Sequence, residues 1–324
     1  MLQVSQLHNR AENQLNNAEN PKKLALLHGT IALGSTFLLI ALSELVGMMI
    51  ADTGGLSGMG TRAIWSTVYE MLSLAVSVAL PFWQLGIFFA ALRWARKESA
   101  AFPDLMQGFR RWSSVAGVLL LQALIYIALG LAAAYISSTI FVMTPMANSL
   151  TELVAPLMDA NITQEQMAEM LTPELMNEIV RASVPLLIIL GVVFAIGAIL
   201  VYYRTRFANQ AVMDGHTALK ALLHSVVITK GNCRSIFRVD LSFWWFYLLQ
   251  ILTVILCNAD LLLQLLGVTL PVPAAVSTLV CYALGCACQI LLLWQYEAKR
   301  VTVYALAYDD LATPPDGENS IITV

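Results

Sequence analysis

The chain has 324 residues, of which 58% are hydrophobic and 12% are charged, and its mean hydropathy is +0.72. Soluble domains contain roughly 45–50% apolar and about 25% charged residues, so this composition excludes an ordinary soluble protein and indicates an integral membrane protein. The net charge of −3 says little as a sum, whereas the positions of the charges along the chain are informative.

Residues 1–23 form a polar leader, which we expect to be solvated or to lie at the membrane surface. Its apolar residues follow a weak helical spacing: Val4, Leu7, Ala11 and Leu15. The first apolar run begins after this leader and is too long for the core of a signal peptide, so no cleavable signal peptide is predicted.

Six apolar runs follow, each near or above the roughly 20 residues that a helix needs to cross the hydrocarbon core. We therefore predict an all-α integral membrane protein with six transmembrane helices in residues 24–310 and a tail of residues 311–324. The predicted spans are 24–50, 64–94, 112–143, 183–203, 236–263 and 272–294, with an extension of the last to 308 left open. The second and third should tilt because of their length, and Pro81 predicts a kink in the second.

The basic residues determine the predicted orientation. The leader, the loop 93–111, the segment 204–238 and the residues after Glu297 contain all 18 Lys and Arg residues except Arg62 and Arg181. Because basic residues concentrate in cytoplasmic loops, both termini are expected in the cytoplasm of a bacterial cell, with the spans in its inner membrane.

The second outer loop, about residues 144–182, is acidic and predicts a cap over the bundle. Thr163 and Gln166 form a capping-box signature for one short helix. Thr172 followed by Pro173 reads as the N-cap and first position of a second short helix.

The inner linker contains a predicted interfacial helix in residues 217–230. Its apolar stripe consists of Leu219, Leu222, Leu223, Val226 and Val227. Lys220 and His224 lie on the other face, and Gly231 is expected as the C-terminal cap. A short amphipathic helix between two spans should lie in the membrane interface.

Basic residues around the inner linkers are the candidate ligand site. Topology and attraction to anionic lipid headgroups explain such charges, at about 1 kcal/mol per residue near the surface; a specific anionic ligand or a protein partner is the alternative. The candidate residues for lipid or partner binding are Arg110, Arg111, Arg204, Arg206, Lys230, Arg234, Arg238, Asp240 and Trp245. Nucleic acid is not expected, because no folded basic domain is present.

Ionisable residues at membrane depth are functional candidates by default, and here they are Glu44, Glu70, Asp240 and Asp260. Glu70 is the deepest, which suits coupling to a proton or cation. The five cysteines show no pattern of paired ligands, and six methionines near the outer loop read as apolar filler. No catalytic motif is present, so we expect no catalytic residue, metal or cofactor.

The segment from Tyr202 to Gln250 resembles an uncharacterised bacterial multi-pass membrane family, domain of unknown function nine-seven-five. The shared features are the aromatic-Arg exit at Tyr202-Tyr203-Arg204, Ala221 and Ser225, Lys230-Gly231, Phe237, Asp240-Leu241-Ser242-Phe243 and Trp245. The leader residues Arg10, Ala11 and Leu15, the run Gly108-Phe109-Arg110-Arg111 and the segment from Tyr304 to Leu311 also look like that family. The resemblance implies a fold and a topology, with no catalytic residue.

Three functions are compatible with this sequence. The first is a non-enzymatic protein that organises the membrane or binds lipid or a partner through its basic inner linkers. The second is a transporter of ions or small molecules, for which Pro81, Glu70 and a possible internal repeat of span, basic linker and span argue. The third is an intramembrane enzyme, which requires His28, Glu44 and Glu70 to converge.

Overall fold

The computed structural model describes residues 3–52, 56–158, 172–265 and 274–313, and in these ranges the chain forms helices and turns with no strand. Five helices are long and apolar enough to cross a membrane, and a sixth crossing results if two helices joined at a bend of 61° count as one span. The predicted all-α membrane class is therefore confirmed.

The α-helices are numbered here in chain order over the described residues. They are α1 Val4–Asn17, α2 Pro21–Asp52, α3 Leu56–Ala95, α4 Phe102–Leu105, α5 Gln107–Arg110, α6 Trp112–Val142, α7 Pro145–Val154, α8 Pro173–Thr205, α9 Ala208–Met213, α10 Ala218–Thr229, α11 Cys233–Ser242, α12 Trp244–Cys257, α13 Ala259–Leu265 and α14 Ala274–Ala312. A short 3₁₀ turn, Ala155–Met158, follows α7.

The fourth predicted span begins earlier than expected. Helix α8 starts at Pro173, and the backbone N–H of Leu175 donates to Thr172 Oγ1 at 3.2 Å. Thr172 thus caps a helix, as predicted, but this helix continues without a break into the span. The prediction of a separate second cap helix was wrong, and the helix predicted at Thr163 and Gln166 lies outside the described residues.

The last two predicted spans also differ from the helices. Residues 236–263 are divided between α11, α12 and α13, with a bend of 61° between α11 and α12 at Phe243. By contrast, α14 is one helix of 39 residues, so the predicted sixth span that extends to residue 308 agrees better with the structure than the one that ends at residue 294. Helix α3 likewise runs through Pro81 without interruption.

The polar leader is a folded part of the protein. Helix α1 buries Leu7 and Ala11 almost completely, with exposed fractions of 1% and 0%. It packs against α14, α11 and α3. The sequence analysis did not anticipate this docking, for which two apolar residues on one helix face are enough when the charged residues of the helix also find partners.

The chain divides into two compact units, residues 1–118 with 205–324 and residues 119–204. In the first unit, α14 is the central helix and packs against α1, α2, α3, α12 and α13. Its residues from Val301 to Tyr308 are buried on every face. In the second unit, Leu129 of α6 lies over Gly197 of α8, and no apolar side chain of α8 is buried.

Two glycines allow backbones to touch in the first unit. A Cβ at Gly86 of α3 would overlap the carbonyl oxygen of Leu105, and a Cβ at Gly108 of α5 would overlap the carbonyl oxygen of Phe82. The segment 102–110 therefore lies directly on the α3 backbone. This contact fixes the basic residues that precede and follow it.

Candidate functional site

Most of the predicted basic residues lie at one end of the first unit, which we call the basic end. It consists of α1, residues 93–111, residues 206–242 with α9 to α11, and residues 297–310 of α14. Hydrogen bonds and ion pairs connect these elements over up to 300 positions of sequence separation.

Arg96 is the centre of the first polar network at the basic end. Its guanidinium donates to Asp214 at 2.6 Å and to Asp309 at 2.9 Å, and the Tyr308 hydroxyl donates to the other oxygen of Asp214 at 3.2 Å. The hydrogen bonds that Arg96 donates to Asp214 and Asp309 raise its pKa. This network joins the ends of α3, α9 and α14.

Asp240 is the centre of the second network. It accepts a hydrogen bond from the Tyr304 hydroxyl and lies 3.6 Å from the Arg206 guanidinium, which stacks over the Tyr304 ring at 4.2 Å. The Tyr247 and Tyr304 hydroxyls are 3.0 Å apart. The side chains of Arg206 and Asp240 are only 14% and 12% exposed. These two predicted ligand-site residues are thus brought together, but as an internal structural pair.

Acidic residues that the sequence analysis did not single out supply most of the partners. Further ion pairs at the basic end are Arg10–Asp310, Lys299–Glu12, Arg93–Asp104 and Arg300–Glu297. Only the last has a helical spacing, i to i+3, that a sequence reading can recognise. The others join residues 11, 287 and 300 positions apart, which no helical spacing connects.

A different group of basic residues faces outward. Arg110, Lys230, Arg234 and Arg238 are exposed, and none of them forms an ion pair with a described residue. Three of them belong to α11 and the turn before it, where Gly231 has the positive φ of 81° expected for a C-terminal cap. These charges remain available to a ligand.

Helix α11 has a buried face and an exposed face that carries both apolar and basic residues. Ser235, Ile236 and Val239 are buried against the protein, while Phe237 and Leu241 are 50% and 55% exposed. Arg234 and Arg238, one helical turn apart, are exposed as well and continue the same outward side, because Leu241 lies seven positions after Arg234, about 20° around the helix. The exposed indoles of Trp244 and Trp245 follow directly at the 61° bend, with ring centroids 3.9 Å apart.

Helix α10 does not have the predicted single apolar face. Its buried side contains Ala221, Leu222 and Ser225, whereas Leu219, Leu223 and Val227 are 59%, 46% and 48% exposed. The predicted stripe is therefore split between the protein and the outside. The small residues, which the apolar pattern did not highlight, make the protein contact because they allow close approach.

Two predicted site residues have other surroundings. Arg111 is half-buried and donates to the backbone oxygen of Val212 at 2.8 Å, so it fastens α9 to the start of α6. Arg204 is half-buried at the end of α8 and belongs to the second unit.

The intramembrane candidates do not converge. His28 is buried and forms reciprocal hydrogen bonds with Trp83, from ring to backbone, at 3.0 and 2.9 Å. Glu44 lies 16 positions further along α2, about 24 Å away at the helical rise per residue. Glu70 is exposed on α3, and Ser66 donates to it at 3.4 Å. Asp260, which is buried, accepts from Thr278 at 2.5 Å.

Three cavities of the first unit are relevant to function, and neither Glu44 nor Glu70 lines any of them. The largest, about 780 Å³, lies between the second half of α1 and the residues that follow α3. An apolar groove of about 460 Å³ runs between α3 and Phe109 and Trp112, and another of about 420 Å³ lies between α12 and α14. Within the described ranges, no cluster of three or more His, Cys, Asp or Glu residues could hold a metal ion.

No family model, no curated protein and no solved structure matches this chain.

Proposed function

We propose that this protein is a non-enzymatic, multi-pass protein of a bacterial inner membrane that binds anionic lipid headgroups through α11. The supporting observation is the exposed side of α11, where Arg234 and Arg238 lie beside Phe237 and Leu241. A helix whose exposed side has apolar residues next to basic residues suits the boundary between headgroups and acyl chains.

The geometry after α11 supports this position. The chain turns by 61° into α12, which is apolar enough to enter the hydrocarbon region. Trp244 and Trp245 are exposed at the turn. Tryptophan is enriched at the membrane interface, where one edge of its ring meets headgroups and the other meets acyl chains. In our proposal α11 and α12 together form the fifth of six crossings, with both termini in the cytoplasm.

The unpaired charges provide the selectivity for anionic lipid. Each basic residue near an anionic surface contributes about 1 kcal/mol, so Lys230, Arg234 and Arg238 together contribute about 3 kcal/mol. The paired residues of the basic end, such as Arg96 and Arg206, contribute less because their charges are already compensated by Asp214, Asp309 and Asp240.

Tryptophan quenching by brominated lipids tests the proposal. The full chain is reconstituted in vesicles that contain brominated phosphatidylglycerol or brominated phosphatidylcholine, and the Trp244→Phe/Trp245→Phe variant gives the background from the other indoles. We expect stronger quenching by the brominated anionic lipid at equal mole fraction, and a loss of this preference in the Arg234→Gln/Arg238→Gln variant.

The matched control is the Lys22→Gln/Lys23→Gln variant, which removes two exposed basic residues at the start of α2. It should keep the preference. Equal quenching by both lipids in the unmodified protein would contradict the proposal, as would equal losses in the two double variants, because the latter result indicates a general attraction without a site.

Membership of the family named above stays a prediction based on the motifs quoted there.

A further inference from the structure

The cavity between α1 and the end of α3 has polar walls from two elements. Asn13, Gln14 and Asn17 of α1 form one wall, and Trp94, Lys97 and Ser99 form the other. Its volume of about 780 Å³ is within the range of ligand sites in proteins. The position is separate from the exposed face of α11 discussed above.

Two buried polar atoms of the cavity residues lack partners. Trp94 is 0% exposed, and its indole Nε1 has no hydrogen-bond acceptor among the described residues. The buried Oε1 of Gln14 has no donor there, although the amide nitrogen of Gln14 donates to Ala95 at 2.9 Å. Both atoms are closed to solvent, so the uncharged polar side chains that an occupant of the cavity can reach are those of Asn13, Asn17 and Ser99.

The charges around the cavity are of both signs, and two of them are uncompensated. Arg10 is paired with Asp310, and Glu98 with Arg93. Lys97 and Glu19 also line the cavity, and neither forms an ion pair with any residue that the structure describes. One free ammonium group and one free carboxylate complement a ligand that has an anionic and a cationic group.

The backbone of Lys97 is in a conformation that usually belongs to glycine. Its φ is 63°, and it is the second residue after α3, which ends at Ala95. The N–H groups of Lys97 and Glu98 bond back to the carbonyls of Trp94 and Arg93 at 3.1 and 2.8 Å, which is the Schellman arrangement. Glycine would satisfy this turn at lower cost, so the turn does not account for a lysine at this position.

We propose that this cavity binds a phosphoethanolamine group, with the phosphate at Lys97 and the ammonium group at Glu19. The side chains of Asn13, Asn17 and Ser99, which line the cavity, then supply the remaining hydrogen bonds. Glu19 lies two positions before α2 and Lys97 two positions after α3, which are both long enough to cross a membrane. The cavity is therefore at the level of lipid headgroups, and phosphatidylethanolamine is the expected source, with soluble phosphoethanolamine sharing its chemistry.

Lipid retention measures this selectivity. The full chain is placed in nanodiscs with equal amounts of phosphatidylethanolamine and phosphatidylcholine at constant phosphatidylglycerol, extracted into detergent, and its retained lipids are counted by mass spectrometry. Phosphatidylcholine differs only in three N-methyl groups, which remove the N–H donors. We expect phosphatidylethanolamine to be enriched roughly fivefold, which corresponds to about 1 kcal/mol.

Two substitutions locate the binding group. Lys97→Gly and Glu19→Gln should each bring the retained ratio close to one, while Lys23→Gln leaves it unchanged. Because glycine suits the turn, Lys97→Gly should unfold at or above the temperature of the unmodified protein, so its loss of lipid cannot be a folding defect. The Arg234→Gln/Arg238→Gln variant should keep the enrichment, which makes failure of this inference distinguishable from failure of the proposed function.

A second experiment separates the two sources of the ligand. Millimolar O-phosphoethanolamine added to the detergent extract should displace retained phosphatidylethanolamine, and O-phosphocholine should not. Equal retention of the two lipids by the unmodified protein, together with no heat of binding for O-phosphoethanolamine, would overturn the inference and leave the cavity to water. Binding of O-phosphoethanolamine with no lipid enrichment would support the chemistry and assign it to a soluble ligand.

Discussion

Helix α8 and the end of α14 are both strongly apolar, and their surroundings are opposite. No apolar residue of α8 is buried, and Leu187, Ile188 and Ile196 are all more than half exposed. The run from Val301 to Tyr308 in α14 is buried on every face. A helix that is apolar all round suits lipid and a protein interior equally. The difference lies in the small and hydroxyl-bearing residues of α14, which allow neighbouring helices to approach and bond.

The largest expected effect comes from a glycine of the closely packed region. Gly108→Ala places a methyl group on the Phe82 carbonyl oxygen, and we expect a loss of about 3 kcal/mol in the free energy of unfolding. In α8, Gly191 has open space around it, so Gly191→Ala should stabilise the helix by up to about 1 kcal/mol. Denaturant unfolding in mild detergent measures the free energy of unfolding of both variants. Equal changes in the two variants would contradict the proposed difference in packing between the two regions.

The Asp240 network should give the next largest effect. Asp240→Asn keeps an acceptor for the Tyr304 hydroxyl but removes the charge that faces Arg206, for which we expect a loss of about 2 kcal/mol. The exposed pair Arg10–Asp310 offers a matched comparison at the same end of α14, and Asp310→Asn should cost less than about 1 kcal/mol. Thermal unfolding measures both losses. If the two substitutions lower the free energy of unfolding equally, burial does not make the Asp240 network more stabilising than the exposed pair.

These contrasts show which parts of the fold the sequence predicts. Hydropathy located the long helices, and Thr172 and Gly231 gave correct helix ends, because those signals depend on local residues. The bend at Phe243 was not predicted, since residues 236–263 contain neither proline nor glycine and their average hydropathy conceals the polar face of α11.

The candidate site was predicted less well for a related reason. Its basic residues were visible as charges, but sequence alone did not separate those with acidic partners from those without. Arg96 has its partners at Asp214 and Asp309, more than 100 positions away. No helical or strand period connects such residues, so only the packing of α3, α9 and α14 reveals that Arg96 is occupied while Arg234 and Arg238 are free to bind.

The histidines make a further, smaller contrast between the two units. Burial, and then the neighbouring His216, lower the pKa of His224, and burial, and then Lys299, lower that of His8. A lowered pKa in the folded state means that the unfolded chain binds more protons, so stability is complete above about pH 6.5 and declines as the pH falls below it.

We therefore expect the basic end to open more readily at pH 5 than at pH 7.5, as measured by hydrogen exchange of peptides from α10 and α14. His224→Gln should reduce this pH dependence. Residues 119–204 contain no histidine, so the exchange of α8 peptides, corrected for intrinsic rates, should change little over the same range. A uniform change across both units would contradict the assignment to His224 and His8.

The smallest expected effect belongs to the turn after α3. Lys97→Gly relieves a positive φ and should raise the free energy of unfolding by up to about 1 kcal/mol. Asn20, with a φ of 52°, is the matched position, and Asn20→Gly should change stability less because asparagine tolerates this conformation. A destabilised Lys97→Gly protein would show that the lysine side chain supports the fold.

The docking of α1 on α14 has a consequence for biosynthesis. Arg10 and Asp310 are separated by 300 positions, and α14 is the last of the described helices to leave the ribosome. Until residues 301–310 are synthesised, Leu7 and Ala11 have no complete surface to pack against. Helix α1 can therefore dock only after the other described helices have been synthesised. Nascent chains arrested before residue 300 should therefore expose α1 to protease, and chains released after residue 313 should protect it.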